Sequence, residues 1–464
     1  MQKQKIGLYI LLMRRMDLNN KNQNVVVIGG GYTGIAAAYE LSKQGISVTI
    51  IEKEQELGGL ARSFDVGSGT QLERFYHHWF VSDQYILNLI EELGLSKNII
   101  WRETNTGMYY SNNFYKLSSP IDLLKFTALG FIDRVRLGLL TIKSRYVKDW
   151  RVLEGYTAEE WLIKQAGKKV YKVVWEPLLK GKFGIYKDKV SAVWIWNKLK
   201  LRGGSRNKKG GEALAYYKGG FAALTLELEK SIKIKGVKLI RGKVVDHIVH
   251  SDNRIKGVRT DDGEIVQCHN VISTIALPLL TKIYNNSNFV SDQKIEEYRN
   301  KISNIEYIGN ICLVLVLNKS LSNAYWTNVN DPDFPFVALI EHTNFEPTNS
   351  YAGKHIVYLS KYLPTKDKLY AMNKDQLLKF SLPFIKKMFK QFKDEWLEDA
   401  YLWKEPYSQP IITRNYSDKI PSYETPVEGL YVSCMAQIYP ADRGTNYAIM
   451  QGQYVAEMVT SYKK

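Results

Sequence analysis

The stretch NVVVIGGGYTGIAAAYELSKQ, residues 24–44, contains an apolar run, a cluster of glycines and a helix-like segment in that order. The run 24–28 is almost continuously apolar, as in a buried parallel strand. In Gly29-x-Gly31-x-x-Gly34, glycine permits a tight turn, a close approach of backbone to a pyrophosphate, and close packing of helix on strand. The helix N-terminus offers free N–H groups and partial positive charge to phosphates. The pattern predicts a dinucleotide-binding site that includes Gly29, Gly31, Tyr32, Thr33 and Gly34.

A second apolar run, residues 47–51, completes a βαβ unit and ends at Glu52. An acidic residue at this place accepts hydrogen bonds from an adenosine ribose. We therefore expect Glu52 and the adjacent Lys53 to contact the cofactor. The segment 56–63, ELGGLARS, follows directly. Its glycines bring backbone close to a ligand, and its arginine can pair with a phosphate, which adds Gly59, Leu60 and Arg62 to the expected site.

The order of these three motifs resembles the flavin-containing amine oxidase, protoporphyrinogen oxidase and phytoene desaturase superfamily. Residues 217–224 with 236–244 resemble its second FAD segment, and residues 429–432 with 447–452 resemble its C-terminal FAD segment. The resemblance implies FAD as the cofactor. It also implies cofactor contacts from Val244, Val245, Asn446 and Ala448.

One departure from the superfamily pattern concerns the acidic residue that binds the ribityl chain. The matching stretch, 433–436, contains none, so Asp442 or Asn446 is expected to take this role. Cys434 in the same stretch allows two interpretations, a covalent flavin attachment or a buried structural cysteine, of which the second is favoured.

The predicted fold class is α/β, or α+β overall. A Rossmann-like, GR2-type FAD-binding domain is interleaved with a mixed-sheet and helical substrate domain. We expect the FAD-binding domain in 24–80, 215–285 and 425–464, the substrate-binding domain with its helical subdomain in 81–214 and 286–424, and a loose N-terminal tail in 1–23.

The resemblance implies hydride transfer from a substrate C–H bond to flavin N5, and no metal is expected. The aromatic segment 73–80, ERFYHHWF, supplies His77 and His78 as candidate acid/base residues, with a core-packing strand as the alternative. Tyr76, Trp326 and His342 are candidates for the substrate pocket; for the segments around the last two, a surface loop is the favoured alternative. Amine oxidases carry a lysine near N5, for which Lys180 and Lys361 are candidates.

The chain has 64 Lys and Arg against 47 Asp and Glu, a net charge of +17. Such an excess indicates an anionic partner or a solvated basic surface. No zinc-finger or RNP-like signature supports nucleic acid. We expect a bulky small-molecule substrate that is anionic or lipid-linked. The segment 123–150 combines apolar and basic residues; it predicts either a helix lying on an acidic membrane surface or a buried helix with a charged outer face.

Cys268, Cys312 and Cys434 are widely spaced, which fits a reducing compartment. A cytoplasmic protein, with peripheral contact to the inner face of the membrane, is the corresponding expectation.

Two alternative functions remain open beside the oxidoreductase. One is a non-redox enzyme similar to UDP-galactopyranose mutase, which acts on a nucleotide sugar and suits the positive charge. The other is a non-catalytic FAD-binding module. A nicotinamide-dependent reductase is disfavoured because there is one clear GxGxxG unit.

Overall fold

The structure is a computed structural model that describes residues 23–67, 69–116, 120–204, 212–290 and 292–461. The predicted tail lies outside these residues except for its last position. Strands of the described residues are β1 Asn24–Ile28, β2 Ser47–Glu52, β3 Ser63–Asp65, β4 Gln71–Glu73, β5 Trp79–Phe80, β6 Ile99–Thr104, β7 Thr106–Tyr110, β8 Asn113–Lys116, β9 Glu212–Tyr217, β10 Lys238–Arg241, β11 Val245–Ser251, β12 Arg254–Thr260, β13 Ile265–Gln267, β14 Asn270–Ser273, β15 Tyr307–Leu317, β16 Trp326–Val329, β17 Ala338–Glu341, β18 His355–Leu363, β19 Leu397–Pro410 and β20 Leu430–Val432.

The α-helices of the same residues, again in chain order, are α1 Tyr32–Lys43, α2 Gln84–Glu92, α3 Pro120–Leu124, α4 Phe131–Tyr146, α5 Ala158–Ala166, α6 Lys168–Val170, α7 Glu176–Phe183, α8 Ala192–Gly204, α9 Gly220–Ile234, α10 Leu277–Asn286, α11 Gln293–Ser303, α12 Lys368–Ala371, α13 Lys374–Met388 and α14 Thr445–Ser461.

A parallel five-stranded sheet of order β10-β2-β1-β14-β20 forms the first half of the molecule. Its central strand β1 is buried along four of its five residues, because neighbouring strands and helices cover both faces. The strands come from three distant parts of the chain, as the interleaved prediction requires, and the mixed α/β class is confirmed. The exact domain boundaries stay a prediction.

Helices α1 and α14 cross one face of this sheet at close range. A Cβ placed on Gly452 would lie 2.4 Å from the Thr33 carbonyl oxygen, so only glycine allows this approach. The contact fixes the N-terminus of the C-terminal helix beside the glycine-rich turn.

A mixed seven-stranded sheet of order β19-β15-β18-β17-β16-β7-β8 forms the second half. Strand β15, which is second from one edge of this sheet, faces two cores with alternate residues. Ile308, Cys312 and Val314 join the large core shared with the parallel sheet, whereas Leu313 and Leu315 join a second core. This alternation explains why the strand reads as a continuous apolar run.

A small sheet of order β5-β9-β6 connects the two halves. Trp79 of β5 pairs with Ala215 of β9, and the latter strand leads directly into α9. The aromatic segment that precedes β5 is therefore held between the two large sheets.

Candidate cofactor and substrate site

The turn between β1 and α1 is shaped by glycines that have no room for side chains. Gly29 has φ +104°, and a Cβ on Gly34 would lie 2.0 Å from the Gly29 oxygen. A Cβ on Gly30 would lie 2.4 Å from Leu57. Helix α1 begins after Gly31 without a side-chain cap, so its N-terminal N–H groups are left to bind an anion.

A second pair of glycines lies against the first turn. The Gly58 N–H donates to the Gly30 carbonyl at 2.8 Å, and a Cβ on Gly59 would lie 3.0 Å from Gly31 Cα. The two backbone segments thus meet without intervening side chains. This arrangement is a cradle that backbone alone lines, as a pyrophosphate requires.

Two charged residues flank the cradle. Glu52 is buried at the end of β2, and its Oε2 accepts a hydrogen bond from the Gly30 N–H at 2.6 Å. Arg62 lies on the other side, where its Nη1 pairs with Glu54 at 2.9 Å and its Nε donates to the Gly59 carbonyl at 3.1 Å. Through hydrogen bonding and its charge, Arg62 lowers the pKa of Glu54. Lys53 is exposed and lies near Glu54 at 3.7 Å.

A large cavity of about 1890 Å³, including its opening to solvent, lies between the two sheets beside this cradle. It extends from Leu60, next to the second glycine pair, to the first turn of α14. Its wall is strongly aromatic, and Tyr76 and Trp326 pack edge to face at 5.0 Å. The aromatic residues of the lining are Phe75, Tyr76, Trp79, Phe80, Trp175, Trp194, Tyr325, Trp326, Tyr362 and Tyr447.

Both histidines of the aromatic segment line the cavity. His77 Nδ1 donates to the Phe75 carbonyl at 2.6 Å, and burial lowers its pKa to about 4. The ring is therefore neutral at pH 7, with Nε2 as its proton acceptor. His78 Nδ1 lies 2.9 Å from the Tyr325 hydroxyl. The two rings thus differ in their partners, which sequence could not distinguish.

One end of the cavity collects charged side chains. Asp442 accepts from Trp194 Nε1 at 3.1 Å and pairs with Lys198. Burial raises the pKa of Asp442, but Lys198, Lys182 and Arg443 together bring it well below its usual range. Arg443 donates to the Tyr362 hydroxyl and to Gln409, both at 2.7 Å. These three cations and Asp442 form the cationic end of the cavity.

Lys182 has the most unusual environment of this group. Burial, followed by the charges of Arg443 and Lys198, holds its pKa well below the usual range despite Asp442. Its ammonium lies 4.6 Å from the ring centre of Tyr362 and 5.6 Å from that of Trp194. Within the described residues it has no hydrogen-bond acceptor.

The model of the flavin containing amine oxidoreductase family matches residues 32–460. The chain belongs to this family. FAD is accordingly its cofactor, and the predicted superfamily is confirmed. Three features of the site fit a dinucleotide. The glycine cradle and the uncapped N-terminus of α1 would offer backbone N–H groups to the pyrophosphate, and the buried Glu52 would accept hydrogen bonds from the ribose.

Two curated relatives of this flavoprotein match different lengths. Mitochondrial protoporphyrinogen oxidase of Nicotiana tabacum is 28% identical over 204 residues, 41% of this chain and 39% of the relative. The match thus spans less than half of that protein. 4,4'-Diaponeurosporene oxygenase of Staphylococcus aureus is 22% identical over 389 residues, 76% of this chain and 71% of the relative.

Solved structures show the same fold at low sequence identity. An oxidoreductase from Methanosarcina mazei has a TM-score of 0.72 at 19% identity, covering 94% of this chain and 100% of that one. A reduced UDP-galactopyranose mutase has a TM-score of 0.75 at 16% identity, covering 95% of this chain and 96% of that one.

The other predicted cofactor residues of this flavoprotein lie at different depths. Val245 is buried at the start of β11, whereas the adjacent Val244 is 46% exposed. Asn446 lines the cavity, but its Oδ1 accepts from the Ile86 N–H at 3.2 Å at the start of α2. Ala448 lies half-buried in the first turn of α14. Of the two substitutes proposed for the acidic residue, Asp442 already has three protein cations around it.

Three expectations about the pocket need correction or refinement. His342 does not line the cavity; it is fully buried in a short turn, His342–Asn344, that directly follows β17, and its Nε2 lies 2.7 Å from the Tyr351 hydroxyl. Lys180 points outward from α7, and Lys361 is half-buried on β18; neither lines the cavity. Cys434 is buried, and burial raises the pKa of its thiol to about 12, as for a structural cysteine.

Sequence reasoning missed Lys182, Arg443 and Glu73. Lys182 lies two positions after Lys180, the candidate lysine near N5, so the periodicity of α7 was the available signal. Glu73 is fully buried; its carboxylate accepts from the Tyr216 hydroxyl at 2.8 Å and from the Phe221 N–H at 2.6 Å. The position of Glu73 beside an aromatic run in the sequence does not indicate that its carboxylate is a buried hydrogen-bond acceptor.

Proposed function

We propose that this chain is an FAD-dependent oxidoreductase whose substrate is bulky and carries an anionic or lipid-linked group. The observation that supports the proposal is the single cavity wall that joins aromatic side chains to a cationic end. FAD, when bound, supplies the two-electron acceptor for a hydride. The specificity of the reaction then depends on the residues of this chain.

The aromatic wall suits the bulk of such a substrate. Rings such as Tyr76, Trp326 and Trp175 offer broad apolar faces that exclude water from the reacting atoms.

The cationic end suits an anionic group. Within that cluster, Asp442 is the one carboxylate beside three cations, Lys182, Lys198 and Arg443. Burial raises the pKa of Asp83, which also lines the cavity, to about 6. An anion beside Lys182 would favour its charged form, since opposite charges stabilise each other in a desolvated site. We therefore expect the pKa of Lys182 to rise when the substrate binds.

His77 is proposed to accept the proton that a substrate N–H or O–H group loses on oxidation. Its Nδ1–H is held by the Phe75 carbonyl, which leaves Nε2 as the basic atom. A neutral ring is in the correct protonation state for this task at pH 7. His78, which bonds with Tyr325, is proposed to orient the substrate.

A mutase-like reaction is the second candidate. The reduced UDP-galactopyranose mutase shares the fold over almost the whole chain, and a cationic end also suits a diphosphate. A mutase would turn over only after prior reduction of the flavin and would leave its substrate without net oxidation.

The deciding experiment mixes the purified flavoprotein, without oxygen, with amines, porphyrinogens, polyprenols and sugar nucleotides. Bleaching of the flavin absorbance by one class would support the oxidoreductase and identify the substrate class. Turnover of a sugar nucleotide only after dithionite reduction would support the mutase. If neither occurs with any class, the proposal fails.

A pair of variants on one helix tests the cationic end. Lys182→Met removes a charge from the cavity, whereas Lys180→Met removes one from the exposed side of α7. We expect the first to raise KM for the anionic substrate about 10- to 100-fold, as for loss of a charge-assisted contact, and the second to leave it unchanged. Equal effects of the two would contradict an anion site.

A further inference from the structure

Helix α4, Phe131–Tyr146, has two apolar faces, and only one of them is covered. Leu137, Leu140 and Ser144 face inward and are buried. On the opposite side six large apolar side chains are between 44% and 79% exposed. These six, here called the α4 stripe, are Phe131, Ile132, Val135, Leu139, Ile142 and Tyr146.

The stripe is continuous along the helix. At about 100° per residue, its six side chains fall within an arc of about 100° and extend over roughly 22 Å of helix axis. Isolated exposed apolar residues are ordinary on protein surfaces, but a contiguous stripe of this kind marks an interaction surface.

The short helix α3 widens the same surface. Leu123 packs 3.4 Å from the position of a Cβ on Gly138, and the Arg134 guanidinium donates to the carbonyls of Leu124 and Leu129. Ile121 and Leu124 on α3 are 63% and 53% exposed beside the stripe. The two helices therefore present one apolar surface rather than two separate ones.

Basic side chains border this surface. Arg136 and Lys143 project next to one margin of the stripe, and Arg145 projects next to the other. All three are exposed, as are Lys125 and Lys148 at the two ends. The acidic residues of 121–149 are Asp122, Asp133 and Asp149, of which the second pairs with Arg136 at 3.4 Å and the third with Arg151 at 3.2 Å. The border is therefore cationic on balance.

We propose that the α4 stripe docks this protein onto a bilayer that contains anionic phospholipids, with the helix lying in the plane of the interface. An apolar stripe bordered by Lys and Arg suits such an interface, because the stripe packs against acyl chains and the cations pair with lipid phosphates. A second apolar protein surface would account for the stripe but not for its cationic border. This proposal is independent of the reaction proposed above.

The docking surface also lies directly outside the cavity wall. Trp196 on α8 donates its Nε1–H to the Ser144 carbonyl at 2.8 Å, on the inner side of α4. The same helix lines the cavity with Trp194, Lys198 and Leu199. A bilayer bound to the outer face of α4 would thus be separated from the cavity by α4 and α8. Within the described residues, none of the helices is both long enough and apolar enough to cross a membrane.

The test measures co-sedimentation of the full chain with vesicles of phosphatidylcholine, either alone or mixed with phosphatidylglycerol. We expect binding to the mixed vesicles that weakens as salt is added. The variant Val135→Gln with Ile142→Gln keeps helix propensity but removes two apolar side chains, so partitioning should fall at least tenfold. The variant Lys143→Gln with Lys148→Gln should reduce binding to the mixed vesicles alone.

A matched control comes from α9, where Leu226 and Ile234 are 57% and 86% exposed away from this surface. Leu226→Gln with Ile234→Gln should leave vesicle binding unchanged, and flavin absorbance should report that every variant is folded. The proposal is overturned if the wild-type chain does not bind mixed vesicles, or if stripe and control variants bind equally. A concentration-dependent dimer that the stripe variant abolishes, without vesicle binding, would assign the surface to a second copy instead.

Discussion

The two halves of the site recognise their ligands with different parts of the chain. In the cradle, the groups placed to meet the cofactor are backbone atoms of Gly29–Gly31 and Gly58–Gly59, which are close in sequence and close in space. In the cavity, the groups are side chains such as His77, Lys182 and Arg443, from segments more than 100 residues apart.

This difference determines what sequence can reveal. A backbone site needs glycine at fixed spacings, so the pattern itself encodes the geometry. A side-chain site needs only that the fold bring ordinary residues together. We therefore expect substitutions in the backbone site to have the largest effects on folding and flavin binding, because no other residue can replace a glycine there.

The largest effect is expected in the cradle. Gly34→Val places a branched side chain where a Cβ alone would lie 2.0 Å from the Gly29 oxygen, so α1 must move away from β1. We expect a loss of more than about 4 kcal/mol in the free energy of unfolding, with loss of bound flavin. Gly155→Ala is the matched control, since a Cβ there meets nothing within 4 Å. Flavin retention in Gly34→Val would refute the close-packed turn.

The sequence predicted the local elements well. The β1-α1-β2 unit is confirmed, and so is the end of β2 at Glu52. These features depend on neighbours a few residues apart. The placement of His342 in the pocket was wrong because the short turn that follows β17 packs into the core, and a turn of three residues carries no sign of what covers it.

The cationic end illustrates a second limit of sequence reasoning. Lys182 and Lys180 have the same chemistry and lie on the same short helix, yet one lines the cavity and the other faces solvent. Only the docking of α7 against the second sheet decides between them. Arg443 likewise has its role from Tyr362 and Gln409, which lie on other strands.

An intermediate effect is expected where the two halves are joined. Glu73→Ala leaves the Tyr216 hydroxyl and the Phe221 N–H without their buried acceptor. We expect a loss of about 3 kcal/mol in the free energy of unfolding, measured by denaturant titration. Tyr216→Phe removes one donor and leaves the Phe221 contact, so it should cost only about 1–2 kcal/mol. A larger effect for Tyr216→Phe than for Glu73→Ala would show that ring packing, not the carboxylate, connects the halves.

The smallest effect, about 1.4 kcal/mol for each pH unit, should come from pH and should separate two histidines that were both predicted in the site. Burial lowers the pKa of His77 to about 4 and that of His342 to about 3, whereas an unfolded histidine titrates near 6.5. Between pH 6.5 and 4 the unfolded chain therefore binds protons that the folded chain does not. Each histidine should reduce stability by about 1.4 kcal/mol per pH unit as the pH falls through this range.

The variant His77→Phe should show a shallower dependence of the free energy of unfolding on pH, and its rate of substrate oxidation should fall. His342→Phe should flatten the slope equally while oxidation is retained, because His342 lies outside the cavity. Loss of oxidation in both variants would mean that the core around Tyr351 and the cavity act as one unit, and the distinction between the two histidines would fail.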